Sequence, residues 1–168
     1  MIAPRLTFVL GGARSGKSRY AEELVAAEPA PWCYIATAQA FDDEMRARIA
    51  EHRSRRDARW QTSEAPLGLP GALAAAAGPV LVDCLTLWLT NLMLGEHPLA
   101  PAFDRLEAAI AAASGPVVMV SNEVGLSIVP DNALARAFRD DQGRLNQRVA
   151  RLADRVIFMV AGLPMVVK

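Results

Sequence analysis

The stretch Leu10-Gly11-Gly12-Ala13-Arg14-Ser15-Gly16-Lys17-Ser18 constrains this chain more than any other, because it lies between a short apolar run and a helix-like segment. Leu6 to Leu10 reads as a buried parallel strand, and Ser18 to Ala27 as the helix that follows. Gly11 and Gly16 bracket four residues ahead of Lys17 and Ser18, which is the full Walker A spacing. Glycines at these positions let backbone N–H groups curl around phosphate oxygens, and the helix N-terminus adds partial positive charge. Lys17 is expected to reach the terminal phosphates of a nucleotide, and Ser18 to offer its hydroxyl to magnesium. A Gly-rich turn that merely joins a strand to a helix is the competing reading, and the strand-loop-helix context disfavours it.

Composition sharpens the signal. Of 18 basic residues only Lys17 and Lys168 are lysines, so a lysine inside the loop stands against a general preference for arginine. A planar guanidinium does not replace a slim ammonium there. Basic and acidic residues balance at 18 each, which gives no support to a large nucleic-acid footprint. The length of 168 residues fits a single nucleotide-binding domain with one sizeable core. Hydrophobic residues make up 52%, which excludes a disordered chain and raises the question of a membrane span. The most apolar stretch, Gly68 to Gly95, is broken by Gly78, Pro79, Asp83, Thr86, Thr90 and Asn91, so no membrane span is expected. The apolar run before the phosphate loop is too short for a signal-peptide core, and the expected location is the cytoplasm. Cys33 and Cys84 lie in apolar runs without a CxxC pair and read as buried free thiols.

Strand and helix signals alternate along the chain. Trp32 to Ala36 is a second strand, followed by a loop at Thr37, Ala38 and Gln39. A helix capped by Asp42 is expected from about Asp43 to about Arg55. Ala58 to Ala77 reads as an irregular start passing into an Ala-rich helix near Pro70. Val80 to Asp83 is a strand ending in a carboxylate, the Walker B pattern, which places an acid where a bound magnesium shell needs one. Leu85 to Leu94 and Phe103 to Ala113 read as helices, and Val117 to Val120 as a strand leading into Ser121, Asn122 and Glu123. Asp131 is positioned to cap a long helix with Leu134, Phe138, Leu145, Val149 and Leu152 as its apolar stripe, weakened at Gly143. Val156 to Val160 is a further strand, with Met165 to Val167 returning beside it. The alternation predicts a mainly parallel α/β sheet with helices on both faces, and ligands at its C-terminal strand ends. Gly11 to Ser18, Thr37, Asp83 and Asn122-Glu123 are expected to converge there.

His52 is the second chemical feature. On a continuing helix Arg48, Arg55 and Arg56 fall on its face, and Arg53 and Arg59 add to the cluster. Such positive surroundings keep an imidazole neutral and nucleophilic, and guanidiniums hold triphosphates. Spacing alone equally describes a solvated basic helix face. His97 has no such company and reads as surface.

Several segments together resemble one family: the loop Gly11 to Ser18, Tyr34-Ile35-Ala36-Thr37, Asp42-Asp43-Glu44-Met45 with Arg48, Ile49 and His52, and Ser121-Asn122-Glu123-Val124-Gly125. Ile128-Val129-Pro130, Phe138-Arg139-Asp140 and Gly143 with Asn146-Gln147 add to it. That family is the bifunctional adenosylcobinamide kinase / adenosylcobinamide-phosphate guanylyltransferase of cobalamin biosynthesis. The resemblance runs almost end to end. One departure is Ser127, where the family pattern leads us to expect glycine.

The resemblance implies a P-loop NTPase with a RecA-like sheet, assembled as a homotrimer, using Mg2+ with ATP or GTP. Its small-molecule substrates are ATP, GTP, adenosylcobinamide and adenosylcobinamide phosphate. The first implied reaction moves the terminal phosphate of ATP or GTP to the hydroxyl on the aminopropanol arm of adenosylcobinamide. In the second, the histidine matched by His52 attacks the α-phosphorus of GTP and carries GMP as a phosphoramidate to the corrinoid phosphate, giving adenosylcobinamide-GDP. Implied nucleotide contacts are Gly11, Gly12, Ala13, Arg14, Ser15, Gly16, Lys17 and Ser18; Ala36, Thr37 and Ala38; Arg53, Ser54, Arg55 and Arg56; and Glu64 and Asp83. His52 and Lys17 are the implied catalytic residues, with Ser18 and Asp83 at the metal. Two other readings compete: a plain small-molecule P-loop kinase in which His52 only contacts phosphate, and a non-catalytic nucleotide-binding switch.

Overall fold

A computed structural model describes residues 4–39, 43–54 and 56–168, with the side chains of 44, 45, 48, 51, 52 and 53 outside the description. Seven strands form one sheet: β1 (Leu6–Gly11), β2 (Trp32–Ala36), β3 (Trp60–Glu64), β4 (Val80–Asp83), β5 (Val117–Asn122), β6 (Arg155–Val160) and β7 (Leu163–Val166). Their order is β3-β2-β4-β5-β1-β6-β7. All neighbours are parallel except β6 and β7, which form an antiparallel pair. The helices are α1 (Lys17–Ala26), α2 (Asp43–Ser54), α3 (Leu69–Ala75), α4 (Leu85–Leu94), α5 (Leu99–Ala112) and α6 (Ala133–Leu152).

Alternate residues of the central strands feed two cores, as the period of a strand requires. Phe8, Val80, Val82, Val117 and Met119 pack with Leu69, Leu85, Trp88, Phe103, Leu106, Leu145 and Val149 from α3, α4, α5 and α6. Val9, Leu81, Val118, Val120 and Ile157 face the opposite way and meet Ala21 and Val25 of α1. Strands buried on both faces read as unbroken apolar runs, which is why β1, β4 and β5 are legible in the sequence. Among the described residues no helix is long and apolar enough to cross a membrane.

The structure corrects several expectations. Trp60 to Glu64, read as irregular, is strand β3, parallel to β2 at the sheet edge. Its sequence Trp-Gln-Thr-Ser-Glu has one apolar residue, because an edge strand with exposed positions needs no more. The cap of α6 is Asn132, whose side chain accepts from the Ala135 N–H at 2.7 Å, and not Asp131. The stripe of α6 is also narrower than expected: Leu145 and Val149 are buried, whereas Leu134 and Leu152 are exposed. Gln142 and Asn146 occupy the buried positions between them. Gly143 leaves α6 unbroken over its 20 residues. The N-cap expected at Asp42 and the site residue Arg55 lie outside the described residues.

Candidate active site

β1 ends at Gly11, residues 12–16 turn sharply, and α1 begins at Lys17. Two glycines are dictated by this turn. Gly11 has φ +156°, and a Cβ there would meet the Met159 carbonyl oxygen at 2.8 Å and Ser15 Oγ at 2.7 Å. Gly16 caps α1 at φ +92°, a left-handed conformation that side chains disfavour. The β6–β7 turn braces the loop from one side, with the Gly162 N–H donating to the Ser15 carbonyl at 3.1 Å. On the other side the Glu123 N–H donates to the Gly11 carbonyl at 3.1 Å. Gly12, Ala13 and Arg14 are exposed along the loop, and Ser18 is half-buried in the first turn of α1.

Lys17 is buried, and its ammonium donates to the Gly12 carbonyl at 2.5 Å. Burial lowers its pKa below the ordinary lysine value, against the opposing pull of Cys84 and Asp83. The ammonium is thus held folded over the loop, within electrostatic reach of the carboxylate that ends β4. Ser15 Oγ is buried without a hydrogen-bond partner among the described residues. It points to a polar ligand group at the loop.

Asp83 accepts a hydrogen bond from Tyr34 Oη at 2.8 Å. Burial, and then Asp83, push the Tyr34 hydroxyl well above the usual phenol range, so it remains a donor. The Arg56 guanidinium lies over the Tyr34 ring at 3.5 Å from its centroid. Its Nη1 is buried with no partner among the described residues. Arg56, Tyr34 and Asp83 therefore form a continuous chain from the segment after α2 to the tip of β4. This differs from the expected helix face: α2 ends at Ser54, and Arg56 has left the helix to stack on Tyr34. An aromatic ring on a neighbouring strand outcompetes one further helical turn.

The remaining expected contacts divide. Ala36 and Ala38 are half-buried around the end of β2, and Glu64 is exposed at the tip of β3, in register with Ala36. Thr37 is fully buried and structurally engaged: its Oγ1 donates to the Cys84 carbonyl at 2.7 Å and accepts from the Cys84 N–H at 2.9 Å. Its backbone is engaged as well: the N–H donates to the Asp83 carbonyl at 3.2 Å and the carbonyl accepts from Asn91 Nδ2 at 2.8 Å, so Thr37 ties the tip of β2 to β4 and α4. Ser54 is exposed at the end of α2. His52 and Arg53 lie in the last turn of α2 by backbone, with side chains outside the described residues. His97 is exposed, and both cysteines are free thiols.

Among the described residues no group of three His, Cys, Asp or Glu side chains converges. Toward the loop stand the Ser18 hydroxyl, the Asp83 carboxylate at the tip of β4 and the Glu123 carboxylate just after β5. A sparse, all-oxygen set suits magnesium, which keeps several waters and takes its other ligands from substrate phosphates.

Sequence reasoning missed the polar layer behind the loop. Ser121 Oγ donates to Asn146 Oδ1 at 2.8 Å and accepts from Gln142 Nε2 at 3.0 Å. Thr86 Oγ1 accepts the Asn122 N–H at 2.8 Å, and Asn146 Nδ2 donates to the Asn122 carbonyl at 3.0 Å. The available signal was a pair of amide side chains four residues apart on the apolar face of α6.

The chain matches the family model for "Cobinamide kinase / cobinamide phosphate guanyltransferase" over residues 7–167. It is 51% identical to the bifunctional adenosylcobalamin biosynthesis protein CobP of Pseudomonas aeruginosa, covering 95% of each chain. It is 41% identical to the bifunctional adenosylcobalamin biosynthesis protein CobU of Salmonella typhimurium, covering 97% of this chain and 99% of the relative. Its fold is similar to that of a prototypical ATPase from the type III secretion system of pathogenic bacteria, with a TM-score of 0.60 at 12% identity. That alignment covers 96% of this chain and 56% of the ATPase.

Proposed function

Since this chain belongs to the cobinamide kinase / cobinamide phosphate guanylyltransferase family, and is thus a bifunctional enzyme of cobalamin biosynthesis, we propose how its residues divide the two reactions. The observation that carries the division is the chain Arg56–Tyr34–Asp83. It ties the segment after the His52 helix to the acid that faces the phosphate loop.

In the kinase reaction the loop amides from Gly11 to Ser18 cradle the phosphates of ATP or GTP, and Lys17 neutralises charge developing on the transferred group. Ser18 and Asp83 would hold Mg2+, which supplies charge neutralisation across the phosphates when bound. Tyr34 keeps one Asp83 oxygen hydrogen-bonded and so fixes the carboxylate's direction. In the guanylyltransferase reaction His52 attacks the α-phosphorus of GTP: a P–N bond forms, the bond to the bridging oxygen breaks, and pyrophosphate leaves with the electron pair. The phosphate of adenosylcobinamide phosphate then displaces the histidine and takes GMP. Arg53, Ser54, Arg55 and Arg56 bind the triphosphate in this step, with Ala36, Thr37, Ala38 and Glu64 contributing from the strand tips. For Thr37 the contribution is to hold the β2 tip in place, since its hydroxyl is committed to Cys84, its N–H to Asp83 and its carbonyl to Asn91.

Incubation with GTP labelled separately at the α and γ phosphates tests the division. We expect acid-labile, base-stable α label on the protein and γ label on the corrinoid. His52→Ala should lose the first and keep the second. Equal loss of both would identify His52 as a shared triphosphate contact, and undiminished GMP labelling would remove it from the mechanism. The reading also includes a cytoplasmic homotrimer, for which the exposed apolar residues Leu163, Met165 and Val166 of β7 offer contact surface. Sedimentation equilibrium measures that mass directly.

A further inference from the structure

The kinase reaction needs a group to take the proton of the corrinoid hydroxyl, and this group must sit beside the phosphate loop. β1 has two neighbours, β5 and β6. Beyond the C-terminal end of β6 come Ala161 and Gly162, which carry no ionisable group. Beyond β5 comes Glu123, whose N–H is bonded to the Gly11 carbonyl at 3.1 Å. Among the described residues it is the ionisable side chain at the tips of the two strands flanking the loop. Asp83 lies one strand farther away and is engaged by Tyr34.

The strand tip bearing Glu123 is fixed to an unusual degree. Both backbone polar groups of Asn122 are held by side chains, Thr86 from α4 and Asn146 from α6. Behind them Gln142 and Ser121 are fully buried, and Gln142 Nε2 bridges Ser121 Oγ and Asn146 Oδ1 at 3.0 and 2.9 Å. This network holds the end of β5 through side-chain hydrogen bonds, while Gln142 Oε1 is buried without a partner among the described residues. The Glu123 carboxylate itself is half-buried, and its Oε1 accepts the Gly125 N–H at 2.7 Å. No described arginine or lysine forms an ion pair with it. The carboxylate is therefore oriented by backbone and not neutralised, which is the condition a proton acceptor requires.

We propose that Glu123 is the general base of the kinase reaction, a reading that rests on the kinase half of the function above. The carboxylate takes the proton from the aminopropanol hydroxyl as that oxygen forms a bond to the γ-phosphorus. The bond from the γ-phosphorus to the β-γ bridging oxygen breaks, the nucleoside diphosphate leaves with the electron pair, and Glu123 passes its proton to solvent. Thr86, Asn146, Ser121 and Gln142 are positioning residues that act through the Asn122 backbone.

Glu123→Gln tests this without dismantling the loop, since the amide oxygen still accepts the Gly125 N–H. The kcat for cobinamide phosphorylation should fall about 10²-fold or more. KM for ATP and for cobinamide should stay within about threefold of the parent. GMP labelling of the protein by α-labelled GTP should be unchanged. Glu123→Asp, which restores a carboxylate one methylene short, should recover part of the lost kcat. A Gln variant with near-parental kcat would overturn the assignment. So would parallel loss of phosphorylation and GMP labelling, which would mark Glu123 as structural. A parent enzyme that phosphorylates no cobinamide would sink the kinase reading and this role together, a result distinct from loss in the variant alone.

Discussion

Strands β1 and β3 both reach the site edge of the sheet, and they are built on opposite terms. β1 is central, with parallel neighbours on both sides and five of its six residues buried. β3 is an edge strand with none of its five residues buried. The phosphate loop hangs from β1 and is braced by backbone hydrogen bonds from β5 and the β6–β7 turn. The α2–β3 side has a ladder on one side only, to β2, and adds ring contacts to it: Arg56 on Tyr34, and Trp60 against Trp32 at 5.2 Å. At the phosphate end, fold and chemistry are carried by the same residues. At the α2 end they are separable, so chemistry there can change with little effect on stability.

Lys17→Ala should give the largest effect and break this rule at the centre. Phosphoryl transfer is expected to drop by about 10³-fold or more, the scale of losing a preorganised charge at a transition state. The fold should survive, because the variant removes an ammonium that burial disfavours. Since the folded-state pKa of Lys17 is lowered, that penalty is fully present below the folded value and fades as pH rises toward 10.5. Denaturant melts of parent and variant should therefore converge on the alkaline side. Retention of near-normal kinase rates would remove the loop from catalysis.

Phe8→Ala against Gln61→Ala sharpens the contrast in stability. Phe8 is fully buried at the middle of β1, and its truncation should destabilise by about 3–5 kcal/mol. Gln61 is exposed on β3, and its truncation should stay within about 0.5 kcal/mol. Comparable losses in urea melts would mean the edge strand is covered in the working enzyme.

Asp83→Asn comes next, with metal-dependent turnover down by about 10²-fold, roughly one lost charged contact to a phosphate-bound cation. The Asn carbonyl can still accept from Tyr34, so the melting curve should move little. Unfolding of the variant would make Asp83 a structural carboxylate. The smallest effect concerns thiols. Burial pushes Cys84 up to about 12 and raises Cys33 as well. Both should resist alkylation near neutral pH in the folded protein and react quickly once urea unfolds it.

The same contrast explains what could be read from residues alone. β1, β4 and β5 announce themselves because strands covered on both faces are apolar throughout, and the loop because phosphate binding restricts nearly every position in it. β3 stayed hidden because an edge strand's pairing is decided by β2 and not by its own pattern. Helical spacing puts Arg56 on the His52 face because it says nothing about a ring waiting on another strand. The spacing of Gln142 and Asn146 on α6 is visible in the sequence, but only the fold shows that the polar end of β5 lies against them.

The strand order carries one last consequence. Neighbouring strands stand about 4.8 Å apart, a spacing set by backbone hydrogen bonds and indifferent to side chains. The sheet edge is thus a graduated rod: from the phosphate loop, the tip of β4 lies two divisions away, about 10 Å, and the tip of β3 four, about 19 Å. A rod of this kind does not contract. Under the roles proposed above, phosphate is received near the first division and GMP is delivered from the side of the last. Those roles call for the corrinoid arm to reach both positions, so a substrate analogue too bulky to shift is expected to stall at the phosphorylated stage.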